Sequence, residues 1–447
     1  YPAYRRINIS MACNHCDDPV CLKGCPTRAY TKHAEYGAVL QDPDICFGCG
    51  YCTWVCPYNA PQLDPIKGQV SKCNMCVDRL EVGLKPACVA ACLGSALDFG
   101  VIETTPENKE QASISIPGFP TPEITHPNIR FQQIRTLPRE MTRPDTMPIR
   151  YQHDEQGQGQ YKTKAALSRK PKQWNLSKLR SREDPLVKFT LITQAVIGAF
   201  SLLFLLPLMG FDHTPIGQSG TVYSVFLFSL LALETYGLYT STMHLGKPHR
   251  FYRAFNNLRY SPVSREVAGV AIFFNALAGY TILHTFQDSF LWLPFVAELT
   301  NFMGWLALIA GPIALFAMHN IYRIKARPYW NHWQVLTTFY GNTLSLGSLL
   351  VGVVYMAVTY INETTYLGFA QLLAWPLLIG LAIEIIGLFA HQRYLRSSGG
   401  EANAAHVKQT TEFGFTYLAR NIGLGISLIL AAAILLDDTL AFNGVGV

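Results

Sequence analysis

Apolar residues crowd the second half of the chain in runs of about 20 or more, at roughly 187–210, 221–243, 265–285, 296–322, 334–361, 367–391 and 417–436. A helix needs about 20 consecutive apolar residues to cross a hydrocarbon core. Each run therefore predicts a membrane-spanning helix, and so many in succession exclude a soluble protein for this half. Before Leu186 no such run exists, and short polar and apolar stretches alternate with Gly, Pro and Cys. The two halves must solve different physical problems, so the pattern predicts two domains. The boundaries expected are a cysteine-rich domain over 1–145, a basic linker over 146–185 and an all-α polytopic membrane bundle of about seven helices over 186–447. Residues 101–185 are rich in Pro, Gly, Gln and charge, carry a basic run from Lys162 to Lys188, and offer no obvious core of their own.

Net charge is only +6, and nothing in its size suggests a nucleic-acid partner. Its distribution says more. Lys247, Arg250, Arg253 and Arg259, then Arg323, Lys325 and Arg327, then Arg393, Arg396 and Lys408 fall in alternate loops, on the side shared with the cysteine-rich domain. The opposite loops hold no Lys or Arg and carry Asp212, Asp288, Glu363, Asp437 and Asp438. Because Lys and Arg accumulate on the cytoplasmic side, the expectation is a multi-pass protein of the inner (cytoplasmic) membrane. Its cysteine domain faces the cytoplasm and its last residues lie outside, which requires an odd number of spans. The chain starts at Tyr1 with neither an initiator Met nor a signal peptide, so an upstream segment is expected to be missing.

All twelve cysteines lie between Cys13 and Cys92, in three groups of four. Cys46, Cys49, Cys52 and Cys56, followed by Pro57, have the ferredoxin rhythm of cubane iron-sulfur clusters. Cys13, Cys16, Cys21 and Cys25, followed by Pro26, repeat it with two extra residues in the middle. Zinc ribbons and disulfide frameworks also use dense cysteines, but neither predicts a proline after the fourth cysteine of two quartets. The fold expected here is an α+β ferredoxin-like iron-sulfur domain. In such motifs the fourth cysteine, expected to open a helix, serves the neighbouring cluster. One [4Fe-4S] cluster would thus take Cys13, Cys16, Cys21 and Cys56, and the other Cys46, Cys49, Cys52 and Cys25. The third group, Cys73, Cys76, Cys88 and Cys92, has Leu93 in place of proline and no partner quartet. Two further clusters would need to share it with an upstream motif.

The runs CNHCDDPVCLKGCP, CFGCGYCTWVCPYNAPQ and KCNMCVDRLEVGLKPACVAAC resemble the four-cluster subunit of the dimethyl sulfoxide reductase family over about the first 130 residues. The segment MHLGKPHRFYRAFNNLRYSPVSRE, between the second and third spans, resembles the membrane anchor subunit of the same enzymes. Family anchors usually have eight helices and are separate chains, so this one resembles a fusion of the two. In a related nitrate reductase subunit an aromatic residue replaces one cysteine; Cys49 is kept here, so four-iron clusters are expected throughout.

That resemblance implies an electron-transfer and anchor subunit of a complex iron-sulfur molybdoenzyme, with a molybdopterin catalytic subunit as partner, menaquinone or ubiquinone as electron carrier, and anaerobic respiration or sulfur metabolism as setting. Cytoplasmic placement resembles the membrane-bound sulfite dehydrogenase branch and favours sulfite oxidation, whereas relatives that reduce dimethyl sulfoxide or polysulfide typically expose the cluster domain outside; a quinol-dependent reductase of that kind is the runner-up. A redox sensor or a purely structural anchor is the alternative of another class.

His244 sits where the family has a quinol-associated histidine, and an imidazole can both bond a quinone oxygen and titrate near neutral pH. Glu266 matches a family carboxylate suited to relaying the proton. Lys247, Arg250 and Asn256 are further candidates for holding the quinone. Glu234, Glu298 and Glu384 lie within apolar runs, where a charge is costly, and predict paired or protonated carboxyls or a proton route. His319 and His391 fall near helix ends where a pair could ligate haem, but interfacial roles are expected and haem is not.

Overall fold

The computed structural model describes residues 10, 12–100, 119–131, 140–142, 149–153, 161–165, 171–178, 181, 183–210, 221–290, 292, 294–362 and 368–436. The cysteine-rich domain is built from two copies of one unit, a cysteine loop, a short helix and a hairpin. The first copy has α1 (Val20–Gly24) and strands β1 (Tyr30–Lys32) and β2 (Val39–Gln41), antiparallel with Tyr30 opposite Gln41. The second has α2 (Tyr51–Val55) and strands β3 (Gln62–Asp64) and β4 (Gln69–Ser71), with Asp64 opposite Gln69. Asp64 shapes the second turn by accepting the amide protons of Ile66 and Lys67 at 2.9 and 3.0 Å, as a side-chain carboxylate does in an Asx turn. Two more short helices, α3 (Val77–Glu81) and α4 (Ala87–Ala90), carry the third cysteine group.

One expectation is corrected here. The fourth cysteine of each ferredoxin-like motif closes a helix instead of opening one: Cys25 caps the C-terminus of α1 and Cys56 that of α2, both in extended conformation. The following prolines explain it, because a proline ring clashes with helical geometry in the residue before it. Pro26 and Pro57 thereby end the helix and turn the cysteine away from its own loop.

The stretch read as linker is not featureless. Strands β5 (Glu140–Thr142), β6 (Ile149–His153) and β7 (Tyr161–Ala165) form an antiparallel sheet, and Ile149 and Tyr151 bury themselves against Ala404. The alternating Ile149, Tyr151 and His153 positions were too short a run to stand out among the charges.

Seven helices among the described residues are long and apolar enough to span a membrane: α5 (Asp184–Leu205), α6 (Thr221–Met243), α7 (Pro262–Thr285), α8 (Val296–Ile321), α9 (Gln334–Asn362), α10 (Phe369–Ser397) and α12 (Gly414–Leu436). A short helix, α11 (Gly400–Thr410), joins the last two. Pairs α7–α8 and α9–α10 pack as hairpins, α5 sits between α6 and α9, and α12 lies against α10 and α11 at the periphery. The core is apolar, with Phe200, Leu203, Leu227, Leu230, Phe273 and Leu277 fully buried. Small residues let the helices touch backbone to backbone: a Cβ on Gly198 would lie 3.0 Å from the Cα of Gly347 and closer still to the Thr343 carbonyl. Such contacts hold helices together where lipid is as apolar as leucine.

The basic loops and the cluster domain occupy the same end of the bundle. Arg250 and Arg327 bond directly to backbone of the cluster domain, and Arg396 donates to His406 of α11. Asp288 is at the opposite end, after α7. Asp212, Glu363, Asp437 and Asp438 lie outside the described residues.

Candidate functional site

Each of the first two quartets of the cluster domain sends its fourth cysteine to the other. Cys13, Cys16, Cys21 and Cys56 line one recess with Val39, Tyr58 and Lys72. Burial pushes the Cys16 thiol up to about 11, and the neighbouring Cys13 and Cys56 sulfurs add to the rise. Burial also raises Cys21, with Cys13 as its strongest charged neighbour. Cys25, Cys46 and Cys52 share a second buried cluster with Tyr30 and Val70. Burial raises Cys49 and Cys52, and each also feels Cys25 and Cys46.

Among the described residues no three His, Cys, Asp or Glu side chains converge on one ion position. Four sulfurs set apart around a recess suit a cubane, in which each iron takes one thiolate. Buried thiols with raised pKa values are inert as ligands until a metal replaces the proton, and bound iron supplies that charge. The residues therefore fit four-iron clusters, and when bound these supply one-electron storage. Donors to sulfur, which tune such centres, are in place: the Ala29 amide donates to Cys25 Sγ at 3.4 Å, Met75 to Cys73 at 3.3 Å and Ala96 to Cys92 at 3.2 Å. The third group is different in setting, with Cys73 and Cys88 exposed beside exposed Val82, Leu84 and Leu93.

The second set sits directly on the membrane bundle. Between α6 and α7 the chain forms a 3₁₀ stretch, Pro248–Asn257, whose polar side chains grip the backbone around Cys25 and Cys46. Arg250 donates to the carbonyls of Pro43, Asp44 and Cys46 at 3.2, 2.7 and 3.1 Å, and Arg253 to that of Asp44 at 2.5 Å. Buried Asn257 donates to the carbonyls of Cys25 at 2.8 Å and Lys23 at 3.2 Å, and Ser261 to Gly24 at 2.8 Å. Lys247 donates to Gln69 at 2.8 Å, and its amide to the Phe47 carbonyl at 3.0 Å.

Three glycines close this junction: Gly48, beside Cys49, Gly68 and Gly246 meet backbone to backbone, leaving no room for a Cβ on any of them. On the far side, Tyr51 donates to the Ile321 carbonyl at 3.2 Å and packs with Cys49, Trp54, Val263, Ile324 and Trp330. Arg327 holds the Trp54 carbonyl and Asn59.

Of the five residues expected from sequence to serve a quinone, His244 follows α6 and Glu266 lies in α7. His244 lies two residues before Gly246, and its Nδ1 donates to the Ser241 carbonyl. Glu266 lies one turn into α7, and its carboxylate charge reaches the phenols of Tyr51 and Tyr322; burial raises both phenols first, and Glu266 adds to it. Lys247 and Arg250 are engaged with the cluster domain, and Asn256 is exposed beside buried Asn257.

Of the other carboxylates, Glu234 is fully buried and accepts from Thr193 at 3.0 Å. Glu384 is within reach of the Arg420 charge. Glu298 is exposed in the first turn of α8, where the helix dipole favours an acid. His319 Nδ1 donates to the Phe316 carbonyl and His391 Nε2 to that of Tyr329 at 2.9 Å.

Residues 180–440, more than half of the protein, match the model of the DMSO reductase anchor subunit (DmsC). This protein belongs to that family. Residues 6–102 match a 4Fe-4S dicluster domain, so this DmsC-family member is a multi-pass membrane protein that carries its iron-sulfur domain on the same polypeptide. Over 121 residues it is 46% identical to a component of the anaerobic dimethyl sulfoxide reductase of Haemophilus influenzae and 45% identical to one of Escherichia coli. Each match covers 27% of this protein and 58% of the relative's length. A component of the sulfite dehydrogenase of Allochromatium vinosum is 41% identical over 106 residues, 22% of this protein and 44% of the relative.

Sequence reasoning missed Asn257, Ser261, Tyr51 and the three glycines. The available signal was compositional: Asn, Ser and Arg concentrated in one short connection between spans, where most connections need only be polar.

Proposed function

We propose that this chain carries electrons between a quinone in the bilayer and a molybdopterin catalytic subunit docked on the cluster domain. The observation that carries the reading is the seat of the second cysteine set, whose backbone at Cys25 and Cys46 is gripped by the membrane domain's own Asn257 and Arg250. A redox centre fixed on the bundle's end has no use for such a grip unless its electron partner lies in the membrane.

The quinone head group is read as lying beneath the Cys49 loop, between His244 and Glu266. His244 Nε2 accepts the hydroxyl proton of a quinol or, when protonated, donates to a quinone oxygen, and Glu266 relays the proton. In this reading all twelve cysteines serve [4Fe-4S] clusters, two of them complete in Cys13, Cys16, Cys21, Cys25, Cys46, Cys49, Cys52 and Cys56, and two sharing Cys73, Cys76, Cys88 and Cys92 with cysteines supplied from elsewhere.

The Lys and Arg loops at the cluster-domain end support a cytoplasmic position for that domain in the inner membrane. From this side the substrate chemistry is read as oxidation of sulfite to sulfate with quinone reduction. The higher identity to the dimethyl sulfoxide reductase components favours a second reading, quinol-driven reduction of a sulfoxide.

Purification of the native complex tests both. A large molybdenum-containing partner and sulfite-dependent quinone reduction are expected. Sulfoxide-dependent quinol oxidation would select the second reading, and absence of any catalytic partner would end the proposal. A reporter fused after Leu436 that is active only outside the cytoplasm is the expected topology result; cytoplasmic activity would reverse the orientation.

A further inference from the structure

We propose that Lys72 sets the reduction potential of the first cysteine set by donating a charged hydrogen bond to the Cys13 sulfur. Its Nζ lies 3.6 Å from Cys13 Sγ and 2.9 Å from the Cys73 carbonyl oxygen, and it also donates to the Val39 carbonyl. Three acceptors on three segments fix the ammonium in place. It lines the same recess as Cys13, Cys16, Cys21 and Cys56, and its charge reaches the sulfurs of Cys21 and Cys73 as well. One cation therefore stands where the first set meets the third.

Reduction adds a negative charge to whatever these sulfurs bind. A cationic donor on a ligand sulfur stabilises that charge more than a neutral one does, and net charge and hydrogen bonds to sulfur are the main levers on such potentials. Among the described residues the hydrogen bonds to the second set's sulfurs come from neutral groups, such as the Thr27 hydroxyl and the Ala29 amide at Cys25. Lys72 thus raises the first set's potential selectively and biases the electron toward the middle of the chain.

Lys32, nearby, is the built-in comparison. Its Nζ donates to the Cys16 carbonyl at 2.8 Å and is neutralised by Asp17 at 2.9 Å, so it offers nothing to a sulfur.

The inference rests on the reading that the first set holds a four-iron cluster. Its test is a redox titration of the purified full chain, followed by electron paramagnetic resonance, with the first-set signal identified as the one altered in Cys13→Ser. In Lys72→Met the one-electron reduction equilibrium of that signal is expected to fall tenfold or more, about 59 mV toward negative potential. The second-set signal should stay in place, as should both signals in Lys72→Arg and Lys32→Met. Equal shifts in Lys72→Met and Lys72→Arg, a shift shared by both signals, or no shift would overturn the proposal. If Lys72→Met does not assemble its clusters, Lys72→Gln is read by the same criteria. Iron content and signal count in the unaltered protein report separately on whether the clusters exist at all.

Discussion

The contact of Gly48, Gly68 and Gly246 is where a single methyl group should separate electron transfer from cluster assembly. In Gly246→Ala the new Cβ would lie 2.6 Å from the Cα of Gly68 and closer to its carbonyl. Carbon atoms pack at about 3.5–4.0 Å, so one backbone must retreat by about 1 Å. No flexible side chain is available to yield instead. Overpacking of this kind costs about 1–3 kcal/mol.

Against it stand the hydrogen bonds of Lys247, Arg250, Asn257 and Ser261 to the cluster domain, each worth about 0.5–1.5 kcal/mol net. Together they outweigh the clash, so the domain should stay docked but displaced. The displacement falls between His244, two residues from the mutated site, and Cys49, adjacent to Gly48. A misplacement of about 1 Å can cost a reaction roughly a hundredfold.

Stopped-flow reduction of the clusters by a quinol analogue should therefore slow by roughly ten- to a hundredfold. Iron content and the spectrum of the chemically reduced protein should not change. A wild-type rate would refute the idea that this contact positions the centre over the quinone; loss of iron would show that the clash is relieved by unfolding the domain.

His244→Ala and Glu266→Gln should each abolish quinol-linked cluster reduction while leaving the chemically reduced spectrum intact, and undiminished turnover would remove that residue from the proposed site. Asn257→Ala leaves the buried Cys25 carbonyl and the less buried Lys23 carbonyl without this donor, a loss of about 1–3 kcal/mol that should lower the thermal midpoint at which the cluster domain releases; an unchanged midpoint would mean water replaces the amide. Acid should weaken the loop between α8 and α9. Burial, then His391 and Arg323, hold His332 down at about 4, against an ordinary 6.5, and its Nδ1 accepts the Gln334 amide at 3.1 Å. Because the unfolded chain takes up this proton first, the contribution is intact above pH 6.5 and lost as pH falls toward 4. The thermal midpoint of detergent-solubilised protein should drop across that window, less steeply in His332→Phe, and identical slopes would dismiss His332 as the cause.

The spans were legible because a bilayer imposes a length, and seven apolar runs have only one economical explanation. The quartets were legible because cluster ligands recur at fixed intervals. Register along the chain was enough in both cases. What the sequence hid was direction. Cys25 and Cys56 read as helix openers until the prolines after them are taken as the reason each helix must stop. Ile149 and Tyr151 looked like linker because a strand of five residues needs a partner surface, here Ala404 on α11, that lies far away in sequence.

The junction was hidden for a related reason. Arg250 and Lys247 are the residue types expected to hold a polar ligand, and from sequence they were assigned to the quinone. In the fold they are committed to carbonyls and to Gln69, while Asn257, one residue from the chosen Asn256, reaches the backbone of Cys25. One step along a 3₁₀ stretch turns the side chain by about 120°, which is why Asn256 is exposed while Asn257 beside it is buried. His244 and Glu266 relate to the cluster domain by separate routes, one through Gly246 two residues on and one through Tyr51. The proposed quinone site between them therefore does not require Lys247 or Arg250 to leave the groups they hold.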